Sequence, residues 1–260
     1  MVAVRQWRFR ACLGIMARAS LSRQPFKSTA LGILFLHHED SATLQSNLLS
    51  IRKENPGATI ATMSAGRALP GGYSLAATPK IKKLHAGSGA TGADWLVCSW
   101  IQQRKERCRK WWIVEWDVFC LMPARRYYRP VWSYPFVASS VRLRHREPEW
   151  YWFREVKNLP VEYRPYAMGA VPFLYLVADE ALVRICTTLI SKPTVAGNSE
   201  LRFATAANMC GFPACGFSPP GDKIGWANWV VLPGEKGILH PVKRPMDYAA
   251  RKDLAIKQKK

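Results

Sequence analysis

A continuous run of apolar residues at 31–36 (LGILFL) is the first strong element of the chain, and it ends abruptly in His-His-Glu-Asp. A strand that is apolar on both faces is typical of the centre of a sheet covered by helices on both sides. Ser41 can cap a helix that continues to the breaker at 55–57. Its apolar positions recur at helical spacing: Leu44, Leu48, Leu49 and Ile51. The run at 58–63 (ATIATM) predicts a second strand, so this region forms a βαβ unit with a parallel pair of strands.

The rest of the chain alternates between predicted strands and helices. Residues 64–92 are rich in Gly, Ala, Ser and Pro and predict a long, mostly irregular segment. A helix is expected at 93–107, followed by a buried strand at 111–114 (WWIV). Later elements are predicted as strands at 135–143, 169–177, 226–232 and 237–239, and as helices at 179–190 and 200–209. This alternation predicts an α/β fold with a mostly parallel central sheet flanked by helices.

Length and composition indicate one globular domain with short basic ends. The 260 residues are 48% apolar and 22% charged, which excludes intrinsic disorder. We expect the domain at 31–245, a basic arm at 1–30 and a basic tail at 246–260. The longest apolar stretches, such as 167–178, fall short of the roughly 20 residues that a bilayer-spanning helix needs.

The charge of the chain indicates anionic partners. Thirty-eight Lys and Arg against 18 Asp and Glu give a formal net charge of +20, and more than half of this excess lies at 1–30 and 241–260. Basic ends of this kind favour peripheral contact with anionic lipid at the inner face of a membrane. A targeting peptide and a solvated arm are the alternatives for 1–30. Nucleic acid is the alternative partner, because 104–146 holds eleven basic and three acidic residues among many aromatic ones. No helix-turn-helix, RRM or zinc-finger pattern is present, so nucleic acid is the less favoured partner.

The seven cysteines are spread along the chain without a CxxC pair. This spacing is typical neither of a disulfide framework nor of a structural zinc site. We therefore expect a reduced, cytoplasmic protein.

Two carboxylates follow the predicted strand at 111–114, namely Glu115 and Asp117. Side chains at positions i and i+2 of an extended chain point the same way. In α/β sheets ligands bind beyond the carboxyl ends of the strands. A pair of carboxylates there can hold Mg²⁺ or Mn²⁺, which keep further positions free for a diphosphate.

Together with the βαβ unit, an acidic residue that opens a later helix and the C-terminal His-Pro-Val-Lys at 240–243, this pattern resembles the nucleotide-sugar glycosyltransferases of the Rossmann-like GT-A fold. The resemblance covers roughly 31–243 and implies metal-dependent transfer of a sugar from a nucleoside-diphosphate sugar to a saccharide or lipid-linked acceptor. The EWD sequence resembles the DxD motif of the family, with Glu115 in place of the first Asp. Asp117 is thereby implied as a ligand of Mn²⁺ or Mg²⁺, and His240 resembles the histidine that completes the metal site in many members.

The resemblance also implies roles for residues outside the metal site. Glu200 resembles the acidic residue that serves as base in inverting members, although a glutamate in a first helical turn is also favoured by the helix dipole. Lys243 and Arg67 are candidates to bind the diphosphate, because positive charge there would offset the charge of the departing group. For each of these two residues taken singly, a solvated surface charge is the favoured explanation.

Three further residues are candidates for substrate contact. His37 follows the first strand, where the family places the nucleotide, and a surface position beside His38 is the favoured alternative. Trp150 and Trp152 alternate within EWYWF and are candidates for acceptor binding, because indole faces suit the apolar faces of sugar rings. Packing in the core is the competing explanation for the tryptophans. A non-catalytic binding module with the same fold is the remaining alternative for the whole chain.

Overall fold

The computed structural model describes residues 31–38, 40–88, 92–171, 174–219, 223–224, 229 and 236–245. The predicted arm at 1–30, the tail at 246–260 and, apart from Trp229, the strand predicted at 226–232 lie outside the described residues. Within those ranges, no helix combines the length and the apolar character needed to cross a bilayer.

The first half of the chain forms these elements: β1 (Leu31–His37), α1 (Ala42–Glu54), β2 (Thr59–Ser64), β3 (Tyr73–Ser74), α2 (Pro79–Ser88), α3 (Ala93–Gln103), β4 (Lys110–Glu115), β5 (Phe119–Cys120) and α4 (Ala124–Tyr127). The second half forms these: β6 (Phe136–Ala138), β7 (Ser140–Leu143), β8 (Met168–Val171), β9 (Leu174–Ala178), α5 (Asp179–Ser191), α6 (Ser199–Met209), β10 (Cys215–Gly216), β11 (Lys223–Ile224) and β12 (Ile238–His240). Short 3₁₀ segments connect several of them, at Leu75–Ala77, Arg129–Val131, Tyr151–Asn158 and Val161–Tyr166.

The central sheet has seven strands in the order β10-β6-β9-β4-β1-β2-β3. Four of its six strand pairs are parallel, and the antiparallel exceptions are the two pairs made by β9. Two smaller sheets, β11-β12-β5 and β7-β8, lie beside it. The predicted α/β fold with a mostly parallel sheet and the predicted βαβ unit are both confirmed.

The two faces of the sheet pack against different helices, because strands that are apolar on both faces must be covered on both sides. On β1, Ile33 and Phe35 belong to the core that contains α1, while Leu34 and Leu36 belong to the core that contains α3, α5 and α6. Alternation of this kind continues on β4 and β9. Gly32 lies opposite Trp111, and a Cβ at Gly32 would lie 2.4 Å from the indole, so this strand position has room only for glycine.

Three predictions of local structure were wrong. The segment predicted as irregular at 64–92 contains β3, a 3₁₀ turn and α2, a helix whose inner face buries Ile81. The strands predicted at 135–143 and 169–177 are each divided between two sheets, as β6 with β7 and as β8 with β9. Apolar pattern alone does not distinguish one long strand from two short strands that pair with different partners.

Candidate metal centre

The strand register places several chain turns at the same edge of the sheet. Leu36 near the end of β1 pairs with Glu115 at the end of β4, and His37 pairs with Ser64 at the end of β2. After Glu115 the chain turns, with the Val118 N–H donating to the carbonyl of Glu115 at 3.2 Å. Glu115 is partly exposed and Asp117 is buried. The acidic pair therefore lies at the carboxyl edge of the central sheet, where ligands bind in α/β folds.

A small antiparallel pair of strands brings His240 to this edge. β5 begins two residues after Asp117 and pairs with β12, so that Leu239 lies opposite Phe119. The Val242 N–H donates to the carbonyl of Asp117 at 2.7 Å, which closes the pairing beyond His240. Two segments that are distant in sequence are thus fixed side by side by main-chain hydrogen bonds.

The three side chains converge. The Nε2 atom of His240 lies 3.1 Å from Oδ1 of Asp117 and 3.7 Å from Oε2 of Glu115. One candidate ligand atom from each residue lies within 4.8 Å of the other two. Two carboxylates and an imidazole form a donor set that suits Mn²⁺ or Mg²⁺. The residues predicted as the metal site are therefore together in the fold.

The polar atoms of this cluster also fit a cation. Asp117 Oδ1 and both ring nitrogens of His240 are buried, and among the described residues Oδ1 and Nε2 form the ion pair at 3.1 Å without the angles of a hydrogen bond. Burial lowers the pKa of His240, but the interactions with Asp117 and then Glu115 outweigh burial and raise it to about 9. The protonated imidazole thus balances two carboxylates, and a divalent cation would replace that proton.

Glu200 belongs to the same charged cluster. It lies in the first turn of α6 and is buried, and Asn198 donates to its Oε2 atom at 3.2 Å. Burial first and the charge of Glu115 next raise the pKa of Glu200 to about 7, while Asn198 and His240 act in the opposite direction. Tyr175 lies on β9, the strand that pairs with β4. Burial and then the charges of Glu200 and Glu115 raise the pKa of Tyr175. The catalytic role of Glu200 stays a prediction.

The position of α6 depends on a buried ion pair. The guanidinium of Arg202 donates to both carboxylate oxygens of Asp94 on α3, at 2.8 and 2.7 Å, and both side chains are fully buried. Arg202 also donates to the carbonyl of Gly197, just before the helix cap. This pair fixes the start of the helix that carries Glu200.

Asn47 is a site residue that the sequence interpretation missed. From the buried face of α1, its side-chain nitrogen donates to the carbonyls of Trp116 and Val242, both at 3.0 Å. These two carbonyls belong to the two segments that carry the metal-site residues. The sequence does contain a signal for Asn47, because this polar residue lies on the apolar helix face formed by Leu44, Leu48 and Ile51. A buried polar side chain in such a position needs a hydrogen-bond partner.

The candidates for nucleotide binding lie at the same edge of the sheet. His37 is the last residue of β1 and is buried, whereas Arg67 is exposed shortly after β2. Lys243 is exposed and directly follows Val242. Their roles as ligands of a nucleotide stay predictions.

The acceptor candidates are partly buried. Trp150 and Trp152 pack against the core that contains α3, α5 and α6. The indole of Trp150 covers Gly169 so closely that a Cβ there would lie 2.2 Å from it. Packing in the core thus explains the position of the Trp150 side chain. Acceptor binding by Trp150 or Trp152 stays a prediction.

No family model matches the sequence, and no curated protein matches it. Among solved structures, the chain is similar to the galactosyltransferase LgtC in complex with donor and acceptor sugar analogues, with 12% identity, a TM-score of 0.43, and 70% of this chain and 72% of that chain covered. It is also similar to mouse xyloside xylosyltransferase 1 in its apo form, with 11% identity, a TM-score of 0.44, and 73% and 85% covered. The chemistry proposed below rests on the residues of this chain.

Proposed function

We propose that this protein is a metal-dependent glycosyltransferase of GT-A type, which transfers a sugar from a nucleoside-diphosphate sugar to a saccharide or lipid-linked acceptor. The observation that carries the proposal is the convergence of Glu115, Asp117 and His240 at the carboxyl edge of the sheet. The burial of Asp117 and His240 supports the same assignment, because buried charged groups are stable only when they pair with an opposite charge or bind a metal.

Glu115, Asp117 and His240 would hold the ion. A bound Mn²⁺ or Mg²⁺ supplies positive charge that offsets the negative charge developing on the diphosphate as the sugar departs. Arg67 and Lys243 are exposed at the same edge of the sheet and would attract the diphosphate. His37 lies at the end of the adjacent strand, where it would contact the nucleotide.

Glu200 would act as general base in an inverting transfer. Its pKa of about 7 makes its carboxylate a better proton acceptor than an ordinary glutamate and leaves a large ionised fraction at neutral pH. The Asn198 amide donates to Oε2 and orients the carboxyl group. Glu200 would take the proton of the acceptor hydroxyl as that oxygen attacks the anomeric carbon.

Trp150 and Trp152 remain the proposed contacts for the acceptor sugar. A lipid-linked acceptor would agree with the basic arm and tail, which would hold the enzyme near anionic lipid at the inner membrane face. Cytoplasmic location and peripheral membrane contact are proposals from the sequence.

A donor screen tests the proposed function. Purified protein is incubated with UDP-, GDP-, dTDP- and CMP-linked sugars, with Mn²⁺ or EDTA, and release of the nucleotide is measured with water accepting the sugar in place of the natural acceptor. We expect one nucleotide class to be released only when metal is present. Asp117→Ala should reduce release by roughly a hundredfold or more, because it removes a metal ligand. Glu180→Gln, an exposed carboxylate on α5, is the matched control and should leave release unchanged.

Glu200→Gln separates binding from chemistry in the same assay. It should lower kcat with the donor KM nearly unchanged, because it removes a proton acceptor and leaves the metal ligands in place. The proposed function is wrong if no donor either raises the melting temperature of the protein or is hydrolysed under any metal condition, or if Asp117→Ala releases nucleotide as fast as the unaltered protein.

A further inference from the structure

A cavity lined by arginines lies away from the candidate metal centre. Its volume is about 810 Å³, within the range typical of small-molecule sites. Its lining residues are Pro123, Arg125, Arg126, Arg129 and Trp132. α4 and the following 3₁₀ turn Arg129–Val131 bring the three arginines together within one short stretch of chain.

The positive charge of this cavity is not balanced by nearby acids. From Val118 to Arg146 the sequence contains no aspartate or glutamate. Among the described residues, no carboxylate lies within ion-pair distance of Arg125, Arg126 or Arg129. A cleft lined by charges of one sign concentrates its field and attracts ions of the opposite sign.

Two cationic side chains lie near the ring of Trp132, the aromatic residue of the cavity. The guanidinium of Arg125 lies 5.8 Å from the ring centroid of Trp132, and the ammonium of Lys110 lies 5.7 Å from it. Lys110 is buried and donates to the carbonyl of Tyr134 at 2.5 Å. Burial and then the charge of Arg109 lower the pKa of Lys110 to about 8, and no acidic group opposes this shift. The surroundings of Trp132 are therefore electropositive.

The cavity and the candidate metal centre lie at opposite ends of the strands of the central sheet. Lys110, beside the cavity, is the first residue of β4, and Glu115 is the last. A strand rises about 3.3 Å per residue, so these residues are roughly 16 Å apart along the strand. The segment before the arginines is fixed at the far end of α1, where the Ala124 N–H donates to Oδ1 of Asn55 at 2.9 Å. A diphosphate bound at the metal centre would therefore not fill this cavity.

We propose that the cavity formed by Arg125, Arg126, Arg129 and Trp132 is a second binding site, which takes a phosphate group carried by a soluble compound or by a phospholipid head group. Guanidinium groups form paired hydrogen bonds to phosphate oxygens. Three guanidinium groups offer more N–H donors than the two oxygens of a carboxylate ligand can accept, so the site suits a phosphate group better than a carboxylate. The indole of Trp132 gives an aromatic wall for the group attached to the phosphate. The site is independent of the proposed glycosyl transfer.

Calorimetry with inorganic pyrophosphate in EDTA tests the site in the full-length protein without its metal. The triple variant Arg125→Gln, Arg126→Gln, Arg129→Gln should bind pyrophosphate roughly tenfold or more weakly than the unaltered protein. The matched control removes three exposed charges elsewhere, at Lys82, Lys83 and Lys157, and should bind within about twofold of the unaltered protein.

The single variant Arg126→Glu repeats the test should the triple variant be less stable. Equal losses in the arginine and lysine variants would overturn the proposal, since they would show attraction by net charge alone.

Vesicle flotation distinguishes the two sources of phosphate. Binding to phosphatidylglycerol vesicles but not to phosphatidylcholine vesicles, lost in the arginine variant and kept in the lysine control, supports a lipid head group. Pyrophosphate binding without vesicle binding supports a soluble phosphate compound. Binding of neither, or binding only of a single-stranded oligonucleotide, overturns the proposal.

Discussion

Asn47 donates a hydrogen bond from its buried side-chain amide to the main-chain carbonyl of Val242, at 3.0 Å. The same nitrogen donates to the carbonyl of Trp116, which lies between Glu115 and Asp117. One side chain of α1 therefore links the turn that carries the acidic pair to the segment that carries His240. The distance between the candidate metal ligands depends on this link as well as on the β5-β12 pairing.

Asn47→Ala should weaken Mn²⁺ binding by roughly tenfold, because residues that orient metal ligands typically contribute this much to affinity. Calorimetric titration with Mn²⁺ measures the change. Asn208→Ala is the matched control, since its side-chain amide also donates to a main-chain carbonyl, that of Tyr166. Equal Mn²⁺ affinity in the two variants would show that Asn47 supports only the fold.

The ion pair between Arg202 and Asp94 gives a prediction about stability. Arg202→Met leaves the carboxylate of Asp94 buried without its partner, which typically costs about 3–5 kcal/mol of unfolding free energy. The double variant Asp94→Leu, Arg202→Met removes both charges and should recover most of that loss. Urea denaturation of the three proteins measures it. A single variant as stable as the unaltered protein would contradict the buried, paired state seen here.

Glu200 gives a prediction about pH. Its pKa is about 7 in the folded protein against an ordinary value of 4.5, so the folded state binds more protons between these values and stability falls as pH rises through them. Glu200→Gln lacks this titration. In metal-free protein, the variant should therefore gain stability relative to the unaltered protein between pH 5 and pH 8, by up to about 3 kcal/mol.

Urea denaturation in EDTA at several pH values measures this gain. Glu180→Gln is the control, because this exposed carboxylate should leave the difference from the unaltered protein constant across the same range. A constant difference for Glu200→Gln as well would mean that the Glu200 carboxyl has an ordinary pKa and is no better suited as a base than a surface glutamate.

Gly32→Ala should destabilise the protein by about 1–3 kcal/mol, because its Cβ would overlap the Trp111 indole in the centre of the sheet. Gly57 is exposed and a Cβ there meets nothing within 4 Å, so Gly57→Ala should change stability by about 0.5 kcal/mol or less. Thermal unfolding of both variants measures the difference. Similar melting temperatures would mean that Trp111 moves aside without cost.

The sequence predicted the elements whose signals are local. The doubly apolar strands β1 and β4, the Ser41 cap of α1 and the acidic first turn of α5 each follow from short-range pattern. Short strands gave a weaker signal, since which sheet β7 or β8 joins depends on partners far along the chain. Helix α2 was missed because its residues include glycine and serine, and burial of Ile81 against the rest of the fold stabilises it.

The residue types of the candidate metal centre were predictable from the sequence, whereas its geometry depended on long-range pairing. The sequence interpretation placed Glu115 and Asp117 at a strand end, and the resemblance to GT-A enzymes added His240. The β5-β12 register that joins them, and the link through Asn47, depend on hydrogen bonds between distant segments. The arginine cavity is likewise invisible in the sequence, where the same residues are only part of a basic stretch.

Titration of Mn²⁺ into the protein, followed by the loss of the electron paramagnetic resonance signal of the free ion, tests the central claim most directly. We expect one ion bound per chain, with affinity reduced roughly tenfold or more in both Asp117→Ala and His240→Ala and unchanged in Glu180→Gln. Saturable binding that survives both Asp117→Ala and His240→Ala, or no binding to the unaltered protein, would contradict a metal centre formed by Glu115, Asp117 and His240.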